Sequence, residues 1–191
     1  MSDERTPQKW NDHYANAAWG VPARVLLENG HLLPAGGDAL EIACGMGASA
    51  LFMAERGLRV RAWDSAVVAI ERLQQQATEH QLPVTAEVRD SVQAPPAALS
   101  CDVIVVSHFL DRTLFPPLLA ALRPGGLLFY QTFIKARIDD TGPRNEAYRL
   151  GDNELLTLCQ PLRILVYREE GVAGDTTQGW RNLAMVVGQR R

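Results

Sequence analysis

A glycine-containing bend, followed by an acidic residue on the next predicted strand, is the part of this sequence best suited to binding a ligand. Gly45 and Gly47 allow a sharp strand-to-helix turn and let a ligand approach the backbone without meeting a Cβ atom. A helix that starts near Ala48 would point its free N–H groups at that ligand. Asp64 follows Gly45 by 19 positions, where its carboxylate can accept both hydroxyl hydrogens of a ribose. These features predict a nucleoside-binding site.

Short apolar runs alternate with helical patterns along the chain, and this alternation predicts the elements that position the bend. The predicted strands are residues 39–44, 58–63, 84–88, 103–107, 127–133, 162–167 and 183–187. The predicted helices are residues 48–56, 66–80, 114–122 and 154–159. Such alternation predicts a mostly parallel sheet with helices on both faces. A polar link without helical pattern, 170–179, joins the last two strands and favours an antiparallel hairpin. The expected fold class is α/β, a Rossmann-like seven-stranded mostly parallel sheet.

Composition places the chain among single-domain globular proteins. Its 191 residues, 47% of them hydrophobic and 21% charged, suit one domain, with an N-terminal helical segment at 1–30 and a binding core at 38–191. A net charge of −3 gives no basic footprint, so no nucleic-acid partner is expected. No apolar run approaches the roughly 18 residues that cross a bilayer, so no membrane association is expected. The three scattered cysteines indicate a reducing, cytoplasmic location, and no residue spacing suggests a metal site. The sequence leaves the oligomeric state open.

Five motifs resemble those of the class I S-adenosylmethionine-dependent methyltransferases, and the resemblance covers most of the chain. They are LEIACGMG at 40–47, WDS at 63–65, VRDS at 88–91, CDVIVVSH at 101–108 and LRPGG at 122–126. Within this class the chain is most similar to the tellurite-resistance and thiopurine-methyltransferase-like group, through ERGL at 55–58, RAWD at 61–64 and the segment that contains Trp10 and Tyr14. The sequence departs from the class at Ala43, where glycine is usual.

The resemblance implies S-adenosylmethionine as the cofactor and assigns binding roles around it. Asp64, in the WDS motif with Ser65, would take the ribose hydroxyls. Asp90 and the Ser91 amide would read the adenine edge. Ser107 would offer its backbone carbonyl. The residues implied at the methionine and sulfonium end are Glu41, Ala43, Cys44, Gly45 and Gly47.

Methyl transfer from a sulfonium requires alignment and no protein nucleophile, so the catalytic and substrate-binding assignments depend on position alone. His108 is the histidine beside a strand end that faces the expected pocket, where it either transfers a proton or forms part of the wall. Trp10 and Tyr14 either pack on the sheet edge or cover the site. Arg144, on the long polar segment 135–149, is a candidate contact for an anionic acceptor. The expected acceptor is a small molecule, and the resemblance suggests a sulfur, selenium or tellurium compound.

Two other functions fit part of the pattern. A protein that binds S-adenosylmethionine without catalysis would keep the same cofactor contacts and lack an acceptor cavity. Residues 45–50 also satisfy GxGxxA, the pattern of a nicotinamide-dinucleotide oxidoreductase. Against that alternative, no tyrosine is followed four positions later by lysine, and Glu41 suits a cationic ligand better than a pyrophosphate.

Overall fold

A seven-stranded sheet with helices on both faces forms the core of the computed structural model, which describes residues 6–191. The strands are β1 (Gly37–Ile42), β2 (Leu58–Asp64), β3 (Val84–Val88), β4 (Cys101–Ser107), β5 (Leu122–Phe133), β6 (Arg163–Glu169) and β7 (Leu183–Gln189). The α-helices are α1 (Pro7–Ala15), α2 (Arg24–Asn29), α3 (Ala48–Ala54), α4 (Val67–Glu79), α5 (Phe115–Ala121) and α6 (Glu154–Leu158). Short 3₁₀ turns occupy Gly30–Leu32, Arg112–Leu114 and Glu146–Tyr148.

The strand order is β3-β2-β1-β4-β5-β7-β6, with β1 to β5 parallel and β7 antiparallel to both of its neighbours. The predicted fold class, including the antiparallel C-terminal pair, is therefore confirmed. Strands β2 and β3 are added on one side of β1, and β4 and the later strands are added on its other side. This change of side leaves a crevice at the carboxyl ends of β1 and β4. That crevice is the place where open sheets of this kind bind ligands.

Strand β5 is longer than the sequence predicts. The predicted strand begins at residue 127, after the turn-forming residues Pro124, Gly125 and Gly126, but β5 already pairs with β4 at Leu122. The register shifts between Cys101 and Val103, so the proline–glycine segment forms an irregular stretch inside the strand.

Apolar side chains alternate between the two faces of the sheet and build a core on each. Helices α2, α3 and α4 cover one face, with Leu26, Met53 and Leu73 fully buried. Helices α5 and α6 cover the other, where Phe115 and Leu155 are buried. Among residues 6–191 no helix is long and apolar enough to cross a membrane.

Candidate functional site

The predicted glycine bend connects β1 to α3 at the crevice. Gly45 and Gly47 have φ angles of +52° and +73°, in the left-handed region that glycine tolerates. The Gly47 amide donates to the Cys44 carbonyl at 2.8 Å, and the Cys44 amide donates to the Trp63 carbonyl at 3.0 Å. A Cβ atom on Gly47 would lie 2.4 Å from the Leu73 side chain. Conformation and packing therefore both require glycine at position 47.

Ala43 also has a left-handed backbone, with φ at +53°, although it carries a Cβ atom. This conformation costs an L-residue roughly 1–2 kcal/mol. It explains why the class places glycine at the position where this chain departs from it.

We expect Ala43→Gly to raise the free energy of unfolding by about 0.5–1 kcal/mol, because relief of the strained φ exceeds the entropy that glycine adds to the unfolded chain. Urea denaturation measures the change. Ala120→Gly, at an exposed position in α5, should instead lower stability by about 1 kcal/mol. A loss of stability in both variants would contradict the strain assigned to Ala43.

Asp64 ties the bend to the end of β2. Its carboxylate accepts hydrogen bonds from the Gly45 amide at 2.8 Å and from the Ala66 amide at 2.9 Å. Asp64 is buried, and that burial raises the pKa of its carboxyl group even though backbone amides stabilise the anion. Two carboxylate oxygens have about four acceptor positions, and three backbone amides use three of them, so one position remains for a ribose hydroxyl. Ser65, which follows, donates its amide to the same carboxylate.

Glu41 lies beneath the bend and is only 4% exposed. Its carboxylate accepts hydrogen bonds from the Ala50 amide, at 2.8 Å, and from the Ser49 hydroxyl, so it contacts the first turn of α3. Burial raises the pKa of Glu41 to about 8, and the negative charge of Asp64 adds to the effect. Cys44, beside it, is also buried, and burial raises the pKa of its thiol.

The raised pKa of Glu41 predicts a pH-dependent stability. Between about pH 4.5 and 8 the folded protein holds a proton on Glu41 that the unfolded chain has released, so stability falls as pH rises through this range. We expect Glu41→Gln to remove at least about 1 kcal/mol of that fall between pH 5 and 8. Denaturation curves at several pH values measure it, with Glu79→Gln, on the exposed face of α4, as the control. Identical pH dependence in all three proteins would contradict the assignment.

The N-terminal helix α1 places Tyr14 directly over the bend. A Cβ atom on Gly45 would lie 2.6 Å from the Tyr14 hydroxyl oxygen. Burial, together with the charges of Asp64, Cys44 and Glu41, raises the pKa of this phenol. Trp10 stacks on Tyr14 with ring centroids 6.0 Å apart. Both predicted aromatic residues therefore lie near the bend.

Helix α1 is held there by polar contacts to α4. The Arg72 guanidinium donates to the carbonyls of Tyr14, at 2.7 Å, and Ala17, at 2.9 Å. The Asn11 side chain accepts from the Val68 amide at 3.1 Å. The helix itself contains no fully buried residue. Residues 1–5 of the predicted N-terminal segment lie outside the described part of the chain.

Asp90 and Ser91 follow β3 at the same edge of the sheet. One Asp90 oxygen accepts from the amides of Val92, at 2.9 Å, and Gln93, at 3.2 Å. Asp90 is exposed while Ser91 is 7% exposed. The second Asp90 oxygen and the Ser91 amide keep the acceptor–donor pair that the adenine assignment requires.

Ser107 and His108 end β4 on the other side of the crevice. The Ser107 hydroxyl lies 2.9 Å from His108 Nδ1. His108 Nε2 lies 3.5 Å from Nε2 of Gln131, a buried residue of β5. Part of the imidazole is exposed, yet the protein atoms around it exclude enough water to lower the pKa of His108. Sequence reasoning missed Gln131, although a glutamine within the apolar run 127–133 is a visible signal.

The predicted acceptor contact, Arg144, lies exposed on the loop after β5 and makes no hydrogen bond or ion pair to another described residue. Arg149, not singled out from the sequence, is buried and holds this loop. Its guanidinium donates to the carbonyls of Ile134, Thr141 and Pro143 at 2.9, 2.5 and 2.8 Å. No group of three acidic, histidine or cysteine side chains within 6–191 is arranged to hold a metal ion.

Comparisons with known proteins agree with this fold. Residues 39–126 match a family model described as a methyltransferase domain. The fold is similar to TehB from Haemophilus influenzae, with a TM-score of 0.72 and 19% identity over 97% of this chain and 67% of TehB. A comparison with curated proteins by sequence gives no significant match.

Two further crystal structures span nearly all of both chains. A geranyl diphosphate C-methyltransferase from Streptomyces coelicolor A3(2), complexed with Mg²⁺, geranyl diphosphate and S-adenosyl-L-homocysteine, has a TM-score of 0.72 and 13% identity over 100% of both chains. A SAM-dependent methyltransferase from Aquifex aeolicus has a TM-score of 0.70 and 14% identity over 97% of this chain and 99% of that one.

Residues 39–126 therefore match a methyltransferase domain, and the fold is that of the class I S-adenosylmethionine-dependent methyltransferases. S-adenosylmethionine is the cofactor of that class, and one of the similar structures holds its demethylated product. The likeness to TehB is one of fold.

Proposed function

We propose that this protein transfers a methyl group from S-adenosylmethionine to a small-molecule acceptor. The observation that carries the proposal is the link between bend and acid: Asp64 accepts the Gly45 amide at 2.8 Å, at the crevice between β1 and β4. A nucleoside bound there meets two glycines that carry no Cβ atom and a buried carboxylate within one site.

The contacts in the crevice suggest which strand end binds each part of the cofactor. Asp64, with Ser65, binds the ribose hydroxyls, and Asp90 with the Ser91 amide binds the adenine edge. The Ser107 carbonyl borders the cofactor from β4. Five residues surround the methionine and sulfonium end: Glu41, Ala43, Cys44, Gly45 and Gly47.

Catalysis in this proposal consists of alignment. A sulfonium already activates its methyl carbon, so the acceptor lone pair would attack that carbon in line. The new acceptor–carbon bond would form as the methyl–sulfur bond breaks, and the neutral thioether would leave. Holding both reactants in that geometry supplies about 7–11 kcal/mol of barrier reduction. His108 lies at the crevice as the candidate catalytic side chain.

The acceptor we propose is small and anionic or weakly acidic, such as a sulfur, selenium or tellurium compound, in the cytoplasm. Trp10 and Tyr14 supply an apolar wall beside the bend, and the described part of the N-terminal segment, residues 6–30, covers the core at 38–191. Arg144 has no partner among the described residues, so its guanidinium is available to an anion. No nucleic acid takes part.

Binding and turnover test the proposal separately. We expect S-adenosylhomocysteine to raise the melting temperature, because a ligand that binds only the folded state stabilises it, while NADH should have no effect. S-adenosylhomocysteine should then form when the protein is given S-adenosylmethionine and a panel of thiols, selenite, tellurite, amines and phenols. A shift with NADH alone would favour an oxidoreductase. Tight cofactor binding without turnover on any acceptor would favour a non-catalytic binding protein.

A further inference from the structure

Gln131 is a buried polar residue whose side chain orientation is fixed by a backbone group. It pairs with Ser107 in the β4–β5 register and is 1% exposed. Its Oε1 atom accepts the Val25 amide of α2 at 2.7 Å. Because a backbone N–H can only donate, the atom that faces Val25 must be the oxygen. The NH₂ group of Gln131 therefore faces the other way, towards His108.

This orientation fixes the protonation of the His108 ring. His108 Nε2 lies 3.5 Å from the Gln131 nitrogen, which is a donor, so Nε2 must be the bare, accepting nitrogen. A neutral imidazole then carries its proton on Nδ1, which lies 2.9 Å from the Ser107 hydroxyl oxygen. His108 donates to Ser107, and the hydroxyl proton of Ser107 remains free for another partner.

The ring position itself is also constrained. The His108 amide donates to the Gln131 carbonyl at 3.0 Å, and His108 has a left-handed φ of +56°. The Phe133 ring packs against the imidazole at 5.1 Å between centroids. A non-glycine residue held in this conformation at a crevice is the kind of strain that accompanies function.

We infer that Gln131 is a positioning residue that holds His108 as the Nδ1–H tautomer, so that Ser107 presents its hydroxyl hydrogen to the crevice. Both His108 nitrogens are then engaged in hydrogen bonds, so the ring has no free lone pair. The consequence for the acceptor rests on the proposed function. The site then offers the acceptor a hydrogen-bond donor rather than a general base. It suits an acceptor that is already an anion, such as a thiolate, a selenolate or an oxyanion, and not a neutral amine or alcohol.

Nitrogen-15 NMR of the imidazole rings tests the tautomer without requiring activity. The sequence contains four histidines, and His108→Asn identifies the signals of His108. At pH 8 we expect Nδ1 of His108 to show the chemical shift of a protonated nitrogen and Nε2 that of a bare one. The reverse pattern would overturn the inference.

Gln131→Glu is the matching variant, because a carboxylate oxygen can still accept the Val25 amide while the second oxygen replaces the donor. We expect Nε2 of His108 to gain a proton and the His108 titration midpoint to rise by about one pH unit or more. Gln74→Glu is the control, since Gln74 lies on the exposed face of α4 and its Oε1 accepts the Ala86 amide of β3 at 3.1 Å. An unchanged His108 spectrum in Gln131→Glu would show that the amide does not set the tautomer.

Kinetics test the acceptor class. For thiols of differing acidity, methyl transfer should follow the fraction of each thiol that is ionised, whereas methylation of neutral amines at similar rates would overturn the assignment. Failure to bind S-adenosylhomocysteine would instead contradict the proposed function and leave the NMR result standing.

Discussion

Asp64→Ala is expected to weaken the binding of S-adenosylhomocysteine by about 1–3 kcal/mol, roughly 5- to 150-fold in Kd, because charge-assisted hydrogen bonds to the ribose are lost. The structure adds a second effect. The carboxylate also accepts the amides of Gly45 and Ala66, so the variant should be less stable even without ligand.

Isothermal titration calorimetry separates the two effects when it is run well below the melting temperature of each variant. The matched control is Asp102→Ala. Asp102 accepts the Asp38 amide at 2.8 Å and pairs with Arg123, but it lies at the opposite end of β4. The control should lose stability and keep its affinity for S-adenosylhomocysteine. If Asp64→Ala does not fold, Asp64→Asn retains one acceptor oxygen and provides the measurement. Unchanged affinity in a folded Asp64 variant would remove the ribose assignment.

Gly47→Ala is expected to lower the free energy of unfolding by about 2–5 kcal/mol. The left-handed φ of +73° contributes roughly 1–2 kcal/mol, and crowding of the new Cβ against Leu73 contributes about 1–3 kcal/mol. Urea denaturation measures the loss. Gly125→Ala isolates the backbone contribution, since Gly125 has a φ of +81° and open space around its Cβ position. Equal losses in the two variants would show that Leu73 moves aside at no cost.

The sequence predicts the strands of the sheet well because each strand is one short segment with a strong hydrophobic pattern. Runs such as 103–106 are apolar on both faces, as buried parallel strands are, and the structure places them in the middle of the sheet. The position of β7 between β5 and β6 does not follow from any local pattern, since strand pairing across such distances is decided by packing. The early start of β5 at Leu122 has the same origin: its pairing with Cys101 prevails over the turn tendency of Pro124 and Gly125.

The residues of the candidate site also fall into two groups, those that the sequence predicts and those that only the fold reveals. Gly45 and Asp64 are predictable because a strand, a bend, a helix and an acid follow each other within a short stretch. Gln131 and Arg149 act through partners that only the fold brings near them, such as Val25 for Gln131. Tyr14 is named from the sequence, yet its approach to Gly45 depends on how α1 docks on α4. The cofactor roles of the named residues remain predictions until binding is measured.

The docking of α1 places the Tyr14 side chain across the approach to the bend. Tyr14 fills the space above Gly45, so the ligand must displace this ring or share its volume. The helix has no fully buried residue and is attached to α4 by Arg72 and Asn11. Its apolar contacts are those of Trp10 and Tyr14 with a small cluster, so detaching it exposes only that cluster. We therefore expect backbone amides of residues 7–15 to exchange with deuterium rapidly in the free protein and slowly once S-adenosylhomocysteine is bound. Association would then be limited by local detachment rather than by diffusion.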